Sequence, residues 1–222
     1  MIFYGHPWQI KRKAMKKKTT LFLVQIAVLI AILLVMSFTP FGYLNVGPLS
    51  IALVTIPVVI GAMILGPLGG FIMGTAFGLT SFMQCFGMSA FGTMLFSIHP
   101  FYAFIVCVPT RMLMGWLTGV IFKALRKIDK TRTWCYFVSG LCGAVLNTLF
   151  FMTALVLFFY HTDYIQGFVT ALEAKSVLAF VVGFVGLNGL VEWPACAIIG
   201  GGIAKILSKV IRRTTDGEYV EP

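Results

Sequence analysis

The sequence predicts an all-α membrane protein, a bundle of six transmembrane helices with both termini cytoplasmic, and three observations predict it. Hydrophobic residues fill 59% of the 222 positions and charged residues only 11%, against about 25% charged in an ordinary soluble domain. Apolar runs recur at 21–38, 49–65, 69–86, 101–122, 134–160 and 177–203, each close to the ~20 residues with which a helix crosses a hydrocarbon core. The formal charge of +10 is sorted by side. Basic residues cluster before the first run, between the fourth and fifth, and after the last, whereas the connections near Pro40, Gly87 and Asp163 hold only Lys175. That asymmetry is the positive-inside pattern of an even number of spans.

The elements follow in order. Residues 1–19 form a basic cytoplasmic segment containing Lys11, Arg12, Lys13, Lys16, Lys17 and Lys18. The run after it is of full spanning length and lacks a small-residue cleavage site, so it is expected to remain as the first helix. On that run Ala27 and Ala31, four apart, make a small-residue ridge that lets another helix approach, in the same chain or in a separate membrane subunit. The second and third runs are separated by a short inner turn at Gly66 and Pro67, and Gly66, Gly70, Gly74 and Gly78 recur every fourth position, a face suited to tight helix packing. The longer outer connections, 39–48, 84–100 and 161–174, hold aromatic and small polar residues that suit closure over a ligand. The membrane domain is placed at 20–211, and residues 212–222 read as a flexible cytoplasmic tail.

Inside the spans, Arg111 stands about eleven residues into the fourth run, roughly 16 Å at 1.5 Å per residue. A charge at that depth must find an anion or carbonyls. Two anions qualify: Glu192, the single acidic residue within a span, and a carboxylate brought by a ligand. Asn147 on the fifth run and Asn188 on the sixth add amide groups, and Asn188, four residues before Glu192, shares its helix face. Each asparagine also has a plain structural reading as an interhelical hydrogen bond. Pro109 and Pro194, each two residues from one of the charges, free a backbone carbonyl and favour a kink.

Several function classes are excluded or weakened. Basic residues sorted by membrane side do not form the single basic face that nucleic acid requires. There is no GxxxxGK[ST] phosphate loop, so energy for active transport must be borrowed. HExxH is absent, and Ser89, His99 and His161 are scattered outer residues, so no catalytic residue is assigned. The five cysteines, Cys85, Cys107, Cys135, Cys142 and Cys196, lack a CxxC pair and are expected as buried small hydrophobes, with no metal site. A stand-alone secondary carrier would want more intramembrane carboxylates or matching broken helices, and stands as the alternative.

The stretch FTPFGYLNVGPLSIALVTIPVVIGAMILGPLGGFIMGTAFGLTSF at 38–82, PTRMLMGWLTGVIFKALRK at 109–127, GAVLNTLFFMT around Asn147 and LNGLVEWP around Asn188 and Glu192 resemble the substrate-binding S-components of energy-coupling factor (ECF) vitamin transporters. Within them the pantothenate-type group is most similar, over residues 20–210. The resemblance implies a subunit that binds a vitamin from outside and then associates with a transmembrane coupling subunit and two ATPases. ATP would be used by those partners, with no cofactor in this chain. It also implies a bacterial plasma-membrane location, and that Ala27 and Ala31 correspond to the alanine motif docking the coupling subunit. Arg111, Asn147, Asn188 and Glu192 are the expected substrate-binding residues, Arg111 pairing with the pantothenate carboxylate. Riboflavin, folate or a queuosine precursor is the alternative substrate.

Overall fold

The computed structural model describes the backbone of residues 7–39, 42–46, 49–131 and 133–217, and their side chains except those of 7–18, 43–51, 187–188 and 212–217. The chain runs as α1 (Pro7–Ser37), β1 (Tyr43–Val46), β2 (Leu49–Ala52), α2 (Thr55–Gln84), α3 (Ala90–Ile98), α4 (Pro100–Ile128), α5 (Trp134–Phe159), α6 (Asp163–Ala171), α7 (Val177–Ala195), a π turn (Cys196–Gly200) and α8 (Gly201–Gly217). Five helical segments are long and apolar enough to cross a membrane: Thr19–Ser37, Thr55–Gln84, Pro100–Ile128, Trp134–Phe159 and Gly189–Ile211.

The longest of the five is folded in two. Gly66 breaks α2 with φ 77° and ψ −166°, a conformation that glycine adopts without the penalty a Cβ brings. Pro67 then opens the second arm, where its missing N–H costs nothing. A Cβ on Gly61 would lie 2.7 Å from Met73 Cγ, and one on Gly70 would lie 2.9 Å from Ala62 Cβ. Residues twelve apart in a straight helix are about 18 Å apart, so the arms run back along each other and the inner turn at Gly66 and Pro67 stands.

Three sequence expectations need correction. The run 49–65 is not one helix: residues Leu49–Ala52 pair antiparallel with Tyr43–Val46, Tyr43 opposite Ala52, so the all-helical fold carries one short hairpin ahead of α2. A brief apolar run reads equally as strand or helix, and Pro57, favoured in a first turn, suits the helix start at Thr55. The run 177–203 is not one regular helix either. Pro194 removes a backbone donor, and the ladder widens into the π turn before α8 resumes. Lastly, residues 212–217, expected in a flexible tail, continue α8 to Gly217.

Small residues let α2 and α4 meet backbone to backbone. The Cβ positions of Gly70 and Gly74 fall on the carbonyls of Gly115 and Arg111, that of Gly78 lies 2.7 Å from Val108 Cα, and that of Gly119 lies 2.7 Å from Pro67 Cα. The helix bearing Arg111 is thus seated directly on the glycine face of α2. Around this pair sit two large apolar clusters and a small third one of Cys85, Cys107 and Val108. One joins α1, α2, the C-terminal part of α4 and the start of α5 through Leu33, Val59, Met73, Phe77, Met114 and Tyr136. The other gathers α3 and α6 against α4, α5 and α7 through Leu95, Val106, Leu155, Ile165, Phe180 and Phe184. On α1 the buried stripe is Ile26, Leu29, Leu33 and Ser37, while Ala27 and Ala31 lie on the exposed side.

The turn from α4 to α5 is held by Asp129. Its carboxylate accepts from Thr131 N–H and O–H at 2.9 and 2.7 Å, from Thr133 N–H at 2.8 Å and from Cys135 N–H at 3.0 Å, capping an α5 N-terminus whose own Thr133 side chain makes no cap.

Candidate functional site

Beside a link between α1 and α2 through Ser37, Thr80 and Gln84, the buried polar groups that bear on function fall in two sets, one around Arg111 and one around Glu192. Arg111 is 7% exposed, and its side chain reaches back along α4, as helical side chains do. Nη1 donates to the carbonyls of Val106 and Cys107 at 3.2 and 3.1 Å. The guanidinium lies 4.8 Å from the Phe77 ring centre and 5.5 Å from that of Phe151, within cation–π range of both. Its Nε is buried with no hydrogen-bond partner. None of these contacts is with a carboxylate, so the direct Arg111–Glu192 ion pair, one of the two options open from the sequence, does not form.

Glu192 anchors the second set. Its Oε1 accepts from Thr55 Oγ at 3.0 Å and from Asn147 Nδ2 at 3.2 Å, and the backbone N–H of Ala52 also donates to the carboxylate. This knot ties α7 to α5 and to the point where the β-hairpin leads into α2. Pro194 follows Glu192 by two residues, and the neighbouring Trp193 donates from Nε1 to Thr148 Oγ at 3.3 Å. A carboxylate buried at 6% exposure is tolerable because several donors surround it.

The structure therefore brings Asn147 and Glu192 into direct contact, while Arg111 bonds to neither, although its charge still acts on the Glu192 carboxylate. Asn188 belongs to α7, but its side chain lies outside the described residues. Ala27 and Ala31 are remote, on the outward side of α1. The sequence reading missed Thr55, Ala52, Phe77 and Phe151. A threonine, a backbone amide and two phenylalanines among many carry no signal of their own in a chain this apolar. Among the described residues no cluster of His, Cys, Asp and Glu has the makings of a metal site.

A family model described as "ECF transporter, substrate-specific component" matches residues 21–203. The chain belongs to that family. It is a multi-pass membrane protein of the bacterial cell membrane, and a transport protein. Among its relatives is the "Pantothenic acid transporter PanT" of Lactococcus lactis subsp. cremoris, 30% identical over 209 residues, covering 88% of this chain and 97% of that protein. The "Pantothenate transporter PanT" of Leuconostoc mesenteroides subsp. mesenteroides is 27% identical over 209 residues, covering 90% of this chain and 98% of its own length.

Proposed function

We propose that this S-component is the substrate-binding subunit of an ATP-driven vitamin importer, and that its vitamin is pantothenate. The observation that carries the proposal is the state of Arg111: a buried guanidinium, flanked by two aromatic faces, with an unpartnered Nε and no carboxylate of its own. A ligand carboxylate at that place gains charge-assisted hydrogen bonds from a group already desolvated. Pantothenate offers a carboxylate, an amide and hydroxyls, and the two relatives named for its transport support the choice. Asn147 retains a second N–H and its carbonyl oxygen beyond the bond to Glu192 and is assigned to the polar middle of the ligand, with Asn188 beside it by position. Glu192 orients Asn147 and anchors the hairpin root.

The same reading places six crossings in the membrane, counting the folded-back α2 as two, with both termini cytoplasmic. Lys123, Arg126 and Lys127 at the end of α4 and Lys205 and Lys209 on α8 then share the cytoplasmic side. The exposed Ala27 and Ala31 face is assigned to the transmembrane coupling subunit, which brings two ATPases. This chain catalyses no reaction and holds no cofactor.

The test is a calorimetric titration of the purified protein alone with pantothenate, riboflavin, folate and a queuosine precursor. Pantothenate binding below micromolar, tighter than about −8 kcal/mol, is expected. Binding of another vitamin in its place overturns the substrate, and binding of none overturns the subunit role. Uptake by proteoliposomes lacking any ATPase would instead establish a secondary carrier.

A further inference from the structure

Cys85 and Cys107 are 22 residues apart in sequence, yet their sulfurs are 3.8 Å apart, and both side chains are buried. Cys85 caps the C-terminal end of α2, and Cys107 lies on α4 within the turn that receives the Arg111 side chain. Among the described cysteines no other pair of sulfurs is in contact. Phe82, Phe96 and Met112 pack against the pair, and polar groups stand beside it as well. Ser81 Oγ donates to Cys107 Sγ at 3.9 Å, Cys85 Sγ donates to the Ser81 carbonyl at 3.5 Å, and the Arg111 guanidinium is bonded to the Cys107 carbonyl at 3.1 Å. Ser81 thus touches both sulfurs, Cys107 through its hydroxyl and Cys85 through its carbonyl. Cys85 is followed in the chain by Phe86, Gly87 and Met88, all exposed.

We propose that Cys85 and Cys107 form an oxidisable dithiol that closes to an intramolecular disulfide under a peroxide. The Cys107 thiolate attacks one peroxide oxygen and the O–O bond breaks, giving a Cys107 sulfenic acid and hydroxide. The Cys85 sulfur then displaces hydroxide from the sulfenic sulfur, forming the S–S bond. The protons released by the two thiols convert both hydroxides to water, so the dithiol loses two electrons and the peroxide gains them. Closure needs the sulfurs to approach by roughly 1.8 Å to reach bonding distance. The bond fastens the end of α2 to α4 in the wall beside Arg111, so oxidation state and the geometry of that wall become linked.

The test uses the full chain, reduced and then treated with hydrogen peroxide in detergent, with remaining thiols alkylated and the peptides mapped by mass. Of five cysteines, three are expected to alkylate after oxidation, with Cys85 and Cys107 recovered as one linked peptide pair that a dithiol reductant separates. The oxidised protein should also unfold at higher temperature than the reduced one, a shift absent in Cys85→Ser. Retention of all five thiols by the folded protein overturns the proposal, as does linkage of any other pair. Sulfinic or sulfonic acid on Cys107 to the same extent in wild type and Cys85→Ser overturns it too, by showing that Cys85 does not resolve the sulfenic acid. Peptide mapping of the wild type decides the matter even if the variant fails to fold, and it requires no ligand.

Discussion

Gly78 is where the packing of α2 on α4 can be tested with a single methyl group. A Cβ there would stand 2.7 Å from Val108 Cα, whereas carbons rest at about 3.5–4.0 Å, so the helices must part by about 1 Å or bend. Overpacking of this kind costs about 1–3 kcal/mol. The same substitution at Gly202, on α8 with nothing within 4 Å, adds helix propensity and should stabilise by about 0.5–1 kcal/mol. Thermal unfolding of Gly78→Ala and Gly202→Ala in one detergent should therefore shift in opposite directions. Because α4 carries Arg111, Gly78→Ala should also weaken ligand binding while Gly202→Ala leaves it alone. Equal tolerance at the two sites would refute the close helix contact and the seating of Arg111 derived from it.

Three further outcomes follow from the geometry. Glu192→Ala leaves Thr55, Asn147 and the Ala52 amide without their common acceptor and should destabilise by about 2–5 kcal/mol on the scale of intramembrane hydrogen bonds, read by thermal or denaturant unfolding; a loss under 0.5 kcal/mol would contradict the knot. Burial works to raise the Asp129 carboxyl, but the N–H groups of Cys135 and Thr133 and the Thr131 donors outweigh it and hold the carboxyl well below the usual range. Its contribution is therefore present above the unfolded value near 4 and lost as pH falls through the folded value. Asp129→Asn should lower the unfolding temperature at pH 7, and the gap to wild type should narrow on acidification below about pH 4; a gap unchanged by acid would contradict the cap. Ala27→Trp together with Ala31→Trp should leave vitamin binding by the isolated subunit intact while abolishing uptake in cells, and loss of binding would move the exposed face of α1 from docking to folding.

Much of the fold was legible because a bilayer imposes simple rules. Gly66 and Pro67 marked the inner turn, the four-residue glycine spacing marked the face that meets α4, and depth along the fourth run singled out Arg111. The hairpin at Tyr43–Ala52 was not legible, since its apolar residues continue the hydropathy of the helix after it and strand pairing depends on partners three to nine residues back. Nor was the partition of the polar groups. The sequence offers Arg111 and Glu192 as the opposite charges of the spans, and only the fold shows Glu192 satisfied by Thr55, Asn147 and Ala52 while Arg111 turns toward Val106 and the two phenylalanines. The Cys85–Cys107 approach was hidden for the same reason: spacing along the chain says nothing about two sulfurs on different helices.

The pairing of Arg111 with a ligand carboxylate is tested most directly by comparing pantothenate with its neutral alcohol analogue, in which a hydroxymethyl group replaces the carboxylate, on wild type and Arg111→Ala. The wild type should prefer pantothenate by about 10–100-fold, the worth of one charge-assisted contact of about 1.5–3 kcal/mol, and Arg111→Ala should bind the two compounds equally. A preference that survives the loss of Arg111 would place the carboxylate elsewhere and return the buried guanidinium to a structural role.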